Sequence, residues 1–216
     1  GRLLPVKMIC GDMATLNIRI LVLIMLAASG LQAENGRLNR LYENLKANYS
    51  LVETYQAEFR QENFWPEMNL QKISRGSIFY DKSRLLLKYD EPQGQLLLLD
   101  SLGVLLYDPA SERAIYLEKM ETELRPLSFL ALYWDNSEKT ITALADNSFD
   151  IHLDTAAREQ VIARAENNFI KELTYIDTAG NQVHYEFFNE QYNVVLPDKI
   201  FSVEIPPQVN VIDNRN

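Results

Sequence analysis

The sequence predicts a mainly β fold with a few helices (α+β), built as a single curved antiparallel sheet that forms an incomplete β-barrel. Three observations lead there. Apolar residues recur with a period of two in short runs from Leu51 onward. Turn residues such as Pro92, "SLG", "PASE" and "TAGN" separate those runs. Only two segments keep helical character, one ahead of the strands and one among them.

The first helix is expected in "RLNRLYENLKANYS", where Leu38, Leu41, Tyr42, Leu45 and Tyr49 fall on one side of a helical wheel. "TYQAEFRQENFW" then alternates Tyr55, Ala57 and Phe59 with polar neighbours, and "LQKISRGSIFYD" follows as its partner. "RLLLKYDEP" is a third strand stopped by Pro92, which has no N–H for a ladder. "QLLLLD", the turn "SLG" and "VLLYD" make a hairpin, and "RAIYLEKM" follows. In "RPLSFLALYW" the pattern breaks, and Pro126 sits where a first helical turn accepts it. "FDIHLD", "QVIARAE", "IKELTYID", "NQVHYEFF" and "KIFSVEIP" read as further strands, and "PPQVNVIDN" as a tail along a sheet edge. The expected total is ten or eleven strands in one domain of residues 34–216.

Residues 1–33 read as a secretory signal peptide. Arg19 precedes the uncharged run "ILVLIMLAASGLQA", whose length suits a signal core of about 7–15 residues better than a span of about 20. Cleavage after Ala33 is expected, with Gly30 as the alternative, and the stretch ahead of Met13 reads as an overcalled start. The one cysteine, Cys10, lies in that leader, and a disulfide-free exported chain suits a bacterial envelope. Removing the leader takes away Arg2, Lys7, Arg19 and Asp12 and moves the formal charge from −9 to −11. So acidic a chain argues against a nucleic-acid partner.

Little here points to catalysis, and the expectation is no enzyme, no metal and no cofactor. His152 and His184 each stand in an alternating strand, without the three close ligands a metal site asks for. There is no nucleophile elbow and no phosphate-cradling glycine loop. Glu121 and Glu123 read as a solvated charged loop.

What stands out is apolar side chain in excess of a one-sided sheet. The hairpin around Leu96–Leu99 and Val104–Tyr107 is apolar on both faces. One reading is a core shared with the two helices. The other is a concave sheet lined by Phe59, Ile78, Tyr80, Leu87, Tyr89, Leu97, Leu99, Leu105 and Tyr107. There the second helix would act as a movable lid through Leu127, Phe129, Leu130 and Tyr133. Such a cavity suits acyl chains, which need contact area more than specific hydrogen bonds.

A signal followed by a helix, "VETYQAEFRQ" with its F-x-Q pair Phe59 and Gln61, "GSIFYDKSRLLLKYDEP", "QLLLLDSLGVLLYDP", "PLSFL", "IDTAGNQVHYEFFN" and "FSVEIPPQVNVID" occur in that order. The series resembles the LolA family of periplasmic outer-membrane lipoprotein carriers from about Leu38 to Asp213. The resemblance implies a half-barrel whose helices cover a hydrophobic lipid-binding cavity. Its partners would be acylated lipoproteins, an inner-membrane LolCDE-type ABC transporter and an outer-membrane LolB-type acceptor. It also implies location in the periplasm of a Gram-negative bacterium and a monomer. No cysteine follows the leader for lipid attachment, which favours carrier over acceptor. Family members carry an Arg-Pro pair after the second strand whose arginine latches the lid. Here Lys82-Ser83 stands at that place and Arg84 follows, so the latch falls on Lys82 or Arg84. The competing class is a non-catalytic envelope scaffold or interaction module that uses an apolar sheet face; a hydrolase using Glu121 or His152 is a third.

Overall fold

The computed structural model describes residue 36 and residues 39–118, 128–144 and 147–215. The chain divides into a unit that ends at Glu43 and a unit of residues 44–216, and the sheet belongs to the second. Twelve strands form one unclosed curved sheet. They are β1 (Thr54–Trp65), β2 (Leu70–Asp81), β3 (Arg84–Glu91), β4 (Leu96–Asp100), β5 (Gly103–Asp108) and β6 (Arg113–Leu117). Helix α1 runs through residues 39–50, ahead of β1. After helix α2 (Ser128–Trp134) come β7 (Ser137–Ala143), β8 (Ser148–Thr155), β9 (Gln160–Glu166), β10 (Phe169–Ile176), β11 (Gln182–Tyr192) and β12 (Asn210–Asp213).

The strand order is β12-β6-β5-β4-β3-β2-β1-β11-β10-β9-β8-β7. It consists of two meanders joined through β1 and β11, so the longest strands stand at the centre, and among the described residues β12 and β7 are the two edges. Hairpins connect nearly every neighbour, as expected where loops are short. Two pairs are exceptions: β1 and β11 meet antiparallel although far apart in the chain, and β12 pairs parallel with β6.

Three expectations need correction. "KIFSVEIP" is not a strand: Asp198–Phe201 is a 3-10 turn and the chain beyond it is irregular to Asn210. Its apolar residues still alternate, because they pack on the sheet from outside rather than join its ladder. β7 was not expected, because "SEKTITA" carries a single large apolar residue, Ile141, and edge strands need only one buried side chain. The sheet is also not wholly antiparallel, because of β12.

Directly opposed residues on neighbouring strands share a face, so the register sorts the sheet into two sides. The inner side carries Ile141, Ile151, Leu153, Val161 and Ala163, all buried. Buried Leu130 and Trp134 of α2 pack on this side of β7–β9, and the Tyr133 ring lies 5.9 Å from that of Tyr175 on β10. At the strand ends near α1, Tyr49 meets Phe169 edge-on at 5.5 Å, and its hydroxyl accepts the Ile170 N–H at 2.9 Å. The outer side of β8–β11 and β1 is polar. Arg164 holds Asp150 and Glu172, and Arg60 holds Glu62 and Glu186, as befits a solvated face.

Candidate functional site: a leucine wing apolar on both faces

The β2–β6 wing departs from that pattern because around the β4–β5 hairpin both of its sides carry mainly apolar residues. The ladder pairs Ile78 with Leu87, Leu87 with Leu97, Leu97 with Leu106 and Leu106 with Ile115. A parallel row runs from Leu85 through Leu99 and Val104 to Leu117. Both rows are on the inner side, and apart from buried Val104 these residues are only half-buried. The alternate residues form the outer side. Leu86, Leu98, Leu105 and Ala114 are buried there beneath Phe201 and Val209 of the C-terminal segment, with Leu196, Ile200, Val203 and Ile205 packed around them. The same hairpin thus contributes one face to a finished core and the other to an incompletely covered apolar surface.

Of the residues expected to line the cavity, Ile78, Leu87, Tyr89, Leu97 and Leu99 are together on the inner face and half-buried. Phe59 and Tyr80 share that face but are fully buried. The Phe59 ring is closed in by Tyr89 at 5.2 Å and Tyr185 at 6.0 Å, so it supports the wall rather than presenting surface. Leu105 and Tyr107 point to the other side and belong to the core under the C-terminal segment. The reason is one residue of turn. Asp100 pairs with Gly103, so the loop is Ser101-Leu102 alone. Reading "SLG" as the turn shifts the register by one and exchanges the faces of the whole strand. Gly103 can take that paired place because its φ of +137° suits glycine, and a Cβ there would overlap the Leu117 carbonyl oxygen. The inner-face residues that sequence reasoning missed, Leu106, Ile115 and Leu117, follow at once from the two-residue turn.

A pocket of about 380 Å³ opens at the end of the wing where β3 leads into β4 and β5 into β6. Leu96, Leu97, Leu106, Tyr107 and Ile115 line it, and Tyr89, Gln95, Asp108, Ser111 and Arg113 complete its walls. Burial raises the Tyr89 phenol above its ordinary value. The hydroxyl therefore stays protonated and donates to Gln61 Oε1 at 2.7 Å. The volume is at the lower end of the roughly 300–1,000 Å³ typical of small-molecule sites.

The model of the outer membrane lipoprotein carrier protein LolA matches residues 50–204. This chain belongs to the LolA family. No curated protein matches the sequence significantly. Among solved structures, MucB is similar with TM-score 0.52 at 9% identity, over 81% of this chain and 64% of that one. An uncharacterized conserved protein from Thermus thermophilus is similar with TM-score 0.51 at 7% identity, over 82% and 99%. An outer membrane lipoprotein-sorting protein domain from Vibrio parahaemolyticus has 12% identity and TM-score 0.40, over 75% and 94%. At such identities these likenesses concern the fold; the family assignment rests on the LolA match itself.

The residues expected to form the lid and its latch stand on different parts of the sheet. Leu130 and Tyr133 belong to α2, which packs over β7–β9 at the opposite end of the sheet from the leucine wing. Leu127 and the Phe129 side chain lie outside the described residues. Among the described residues neither latch candidate bonds to α2. Lys82 pairs with Glu53 at 2.6 Å on an exposed surface. Arg84 donates twice to Asp81 Oδ2, at 2.9 and 2.6 Å, and once to Asp198 Oδ1 at 2.9 Å. Its guanidinium also stacks over the Phe201 ring, 4.2 Å from the centroid. The β2–β3 turn carries Arg84 toward the outer side, where it clasps the C-terminal segment. Among the described residues no three His, Cys, Asp or Glu side chains are grouped to hold a metal. His184 instead shares Nδ1 with the Thr174 hydroxyl at 2.8 Å.

Proposed function

We propose that this LolA-family protein carries the acyl chains of lipoproteins through the periplasm, holding them on the inner face of the β2–β6 wing. In this reading residues 1–33 direct export and are removed. An inner-membrane LolCDE-type transporter loads the cargo, and an outer-membrane LolB-type acceptor receives it. The observation that carries the proposal is the asymmetry of the wing: its outer leucines are sealed under the C-terminal segment, while Leu85, Leu87, Leu97, Leu99 and Leu106 stay half-buried.

The physical logic favours a surface that is only partly covered. Complete burial of acyl chains is worth about 0.8 kcal/mol per methylene. Several long chains so held would never leave on a useful timescale. A half-covered leucine surface retains affinity while keeping release possible, and direction follows from tighter binding by the acceptor. No bond is made or broken, so no catalytic group is required.

The test is saturable binding of a fluorescent diacylated lipopeptide to the purified protein. Leu97→Glu and Leu99→Glu should weaken binding at least tenfold by placing a charge on the acyl surface. Undiminished binding by both variants would refute the assignment of this face.

A further inference from the structure

We propose that the pocket at the end of the leucine wing is a site for a single-chain anionic amphiphile, a fatty carboxylate, whose charge is taken by Arg113 and whose first methylenes lie on Leu97, Leu106 and Ile115. The inference rests on the reading that the inner face of the wing takes acyl chains, and it adds a charged head group that cargo acyl chains, joined through esters and amides, do not have.

Arg113 is the first residue of β6 and stands directly across the ladder from Asp108. Strand alternation puts it on the inner side with Leu106 and Ile115, and the three line the same pocket. The other arginines in the strands each hold a carboxylate: Arg60 with Glu62, Arg75 with Glu91, Arg84 with Asp81 and Arg164 with Asp150. The Arg113 side chain has no hydrogen-bond or ion-pair partner among the described residues.

Its nearest candidate is committed elsewhere. Asp108 accepts the Ser111 hydroxyl at 2.8 Å and the Ala110 N–H at 3.1 Å. Hydrogen bonding from the Gln95 side chain, with that from Ser111, holds the Asp108 carboxyl below the usual range. These donors tie the carboxylate into the β5–β6 turn and leave the guanidinium fork empty at the lip of an apolar pocket. A planar fork beside a greasy floor matches a carboxylate that ends a hydrocarbon chain, because both oxygens can be taken in parallel hydrogen bonds. With a volume of about 380 Å³, the pocket suits one chain better than a branched lipid. The rest of the chain would run on over Leu87 and Leu99, so a bound fatty acid would occupy surface offered to cargo.

The experiment uses the full protein at pH 8, with cis-parinaric acid and its methyl ester as fluorescent probes. The acid should bind about tenfold or more tighter than the ester, the effect of one charge-assisted pair at a partly wet site. Arg113→Gln should bring the acid to the level of the ester. Because Arg113 is exposed and unpartnered, that variant should keep the wild-type circular dichroism and urea midpoint. Oleate should displace the bound acid better than 1-oleoyl-lysophosphatidylglycerol. Equal binding of acid and ester, or an Arg113→Gln protein that still prefers the acid, overturns the site while leaving the carrier reading intact. Better displacement by the lysophospholipid assigns the pocket to a phosphate head group and also overturns it. Failure of both probes to bind removes the site and the acyl-chain reading together.

Discussion

Replacing Arg84 by alanine severs the link between the β2–β3 turn and the C-terminal segment. Its two bonds to Asp81 are charge-assisted and the Asp81 side chain is only 18% exposed, so this arm carries most of the effect. Bonds of this kind contribute about 1.5–3 kcal/mol. The arm to Asp198, a side chain 93% exposed, adds less than about 1 kcal/mol, as surface pairs do. The Phe201 stack adds about 0.5–1 kcal/mol. Asp81 is not orphaned, because the N–H groups of Ser83 and Arg84 and the Ser83 hydroxyl still donate to it. The expected loss is therefore about 2–5 kcal/mol in urea unfolding, or roughly 4–20 °C in Tm for a chain of this size.

The same pair predicts a pH dependence. Burial pushes the Asp81 carboxyl up, but hydrogen bonds from Arg84 and Ser83 outweigh it and hold the group below its ordinary value. A depressed carboxylate contributes its full stability above the unfolded pKa near 3.9 and loses it as pH falls through the lower folded value. The gap between wild type and Arg84→Ala should hence be widest above about pH 4 and narrow below it. Asp198→Asn should cost much less than Arg84→Ala. A loss under about 0.5 kcal/mol for Arg84→Ala, or an equal loss for both variants, would refute the clasp.

Three further outcomes test the face assignment and its supports. Leu98→Ala should destabilise by about 2–5 kcal/mol as a core truncation yet leave lipopeptide affinity unchanged, whereas Leu97→Glu should show the reverse balance when urea midpoints and affinities are compared. Gly76→Ala should cost about 1–3 kcal/mol or more in thermal unfolding, since its Cβ would overlap the Lys88 carbonyl beside the Phe59–Tyr89 contact. Tyr49→Phe should cost about 1–3 kcal/mol and speed hydrogen exchange at Ile170, because that buried N–H loses its acceptor.

Most of the strand inventory was legible in the sequence because a half-buried sheet writes itself as alternation: Tyr55, Ala57 and Phe59, or Ile151 and Leu153, are buried as their spacing requires. The exceptions have local causes. β7 carries too little apolar matter to be seen, and the stretch after Pro197 alternates without pairing to anything. The candidate site was half legible. A doubly apolar hairpin announced that both of its faces meet something other than open water, but alternation has no sign and cannot say which face is which.

Most of the succession of strands along the chain, the two helices and membership of the LolA family were written in the sequence, in periodicity and in the order of motifs. Only the tertiary structure decided that Leu97, Leu99 and Leu106 look inward while Leu98 and Leu105 are sealed beneath Phe201. That choice hangs on a two-residue turn and on a segment about a hundred residues away that arrives to cover one side. It also decided that Arg84 serves the C-terminal segment rather than α2, because a guanidinium reaches whatever the fold brings alongside it. Local pattern determines what a strand must bury; contacts distant in the chain determine against what.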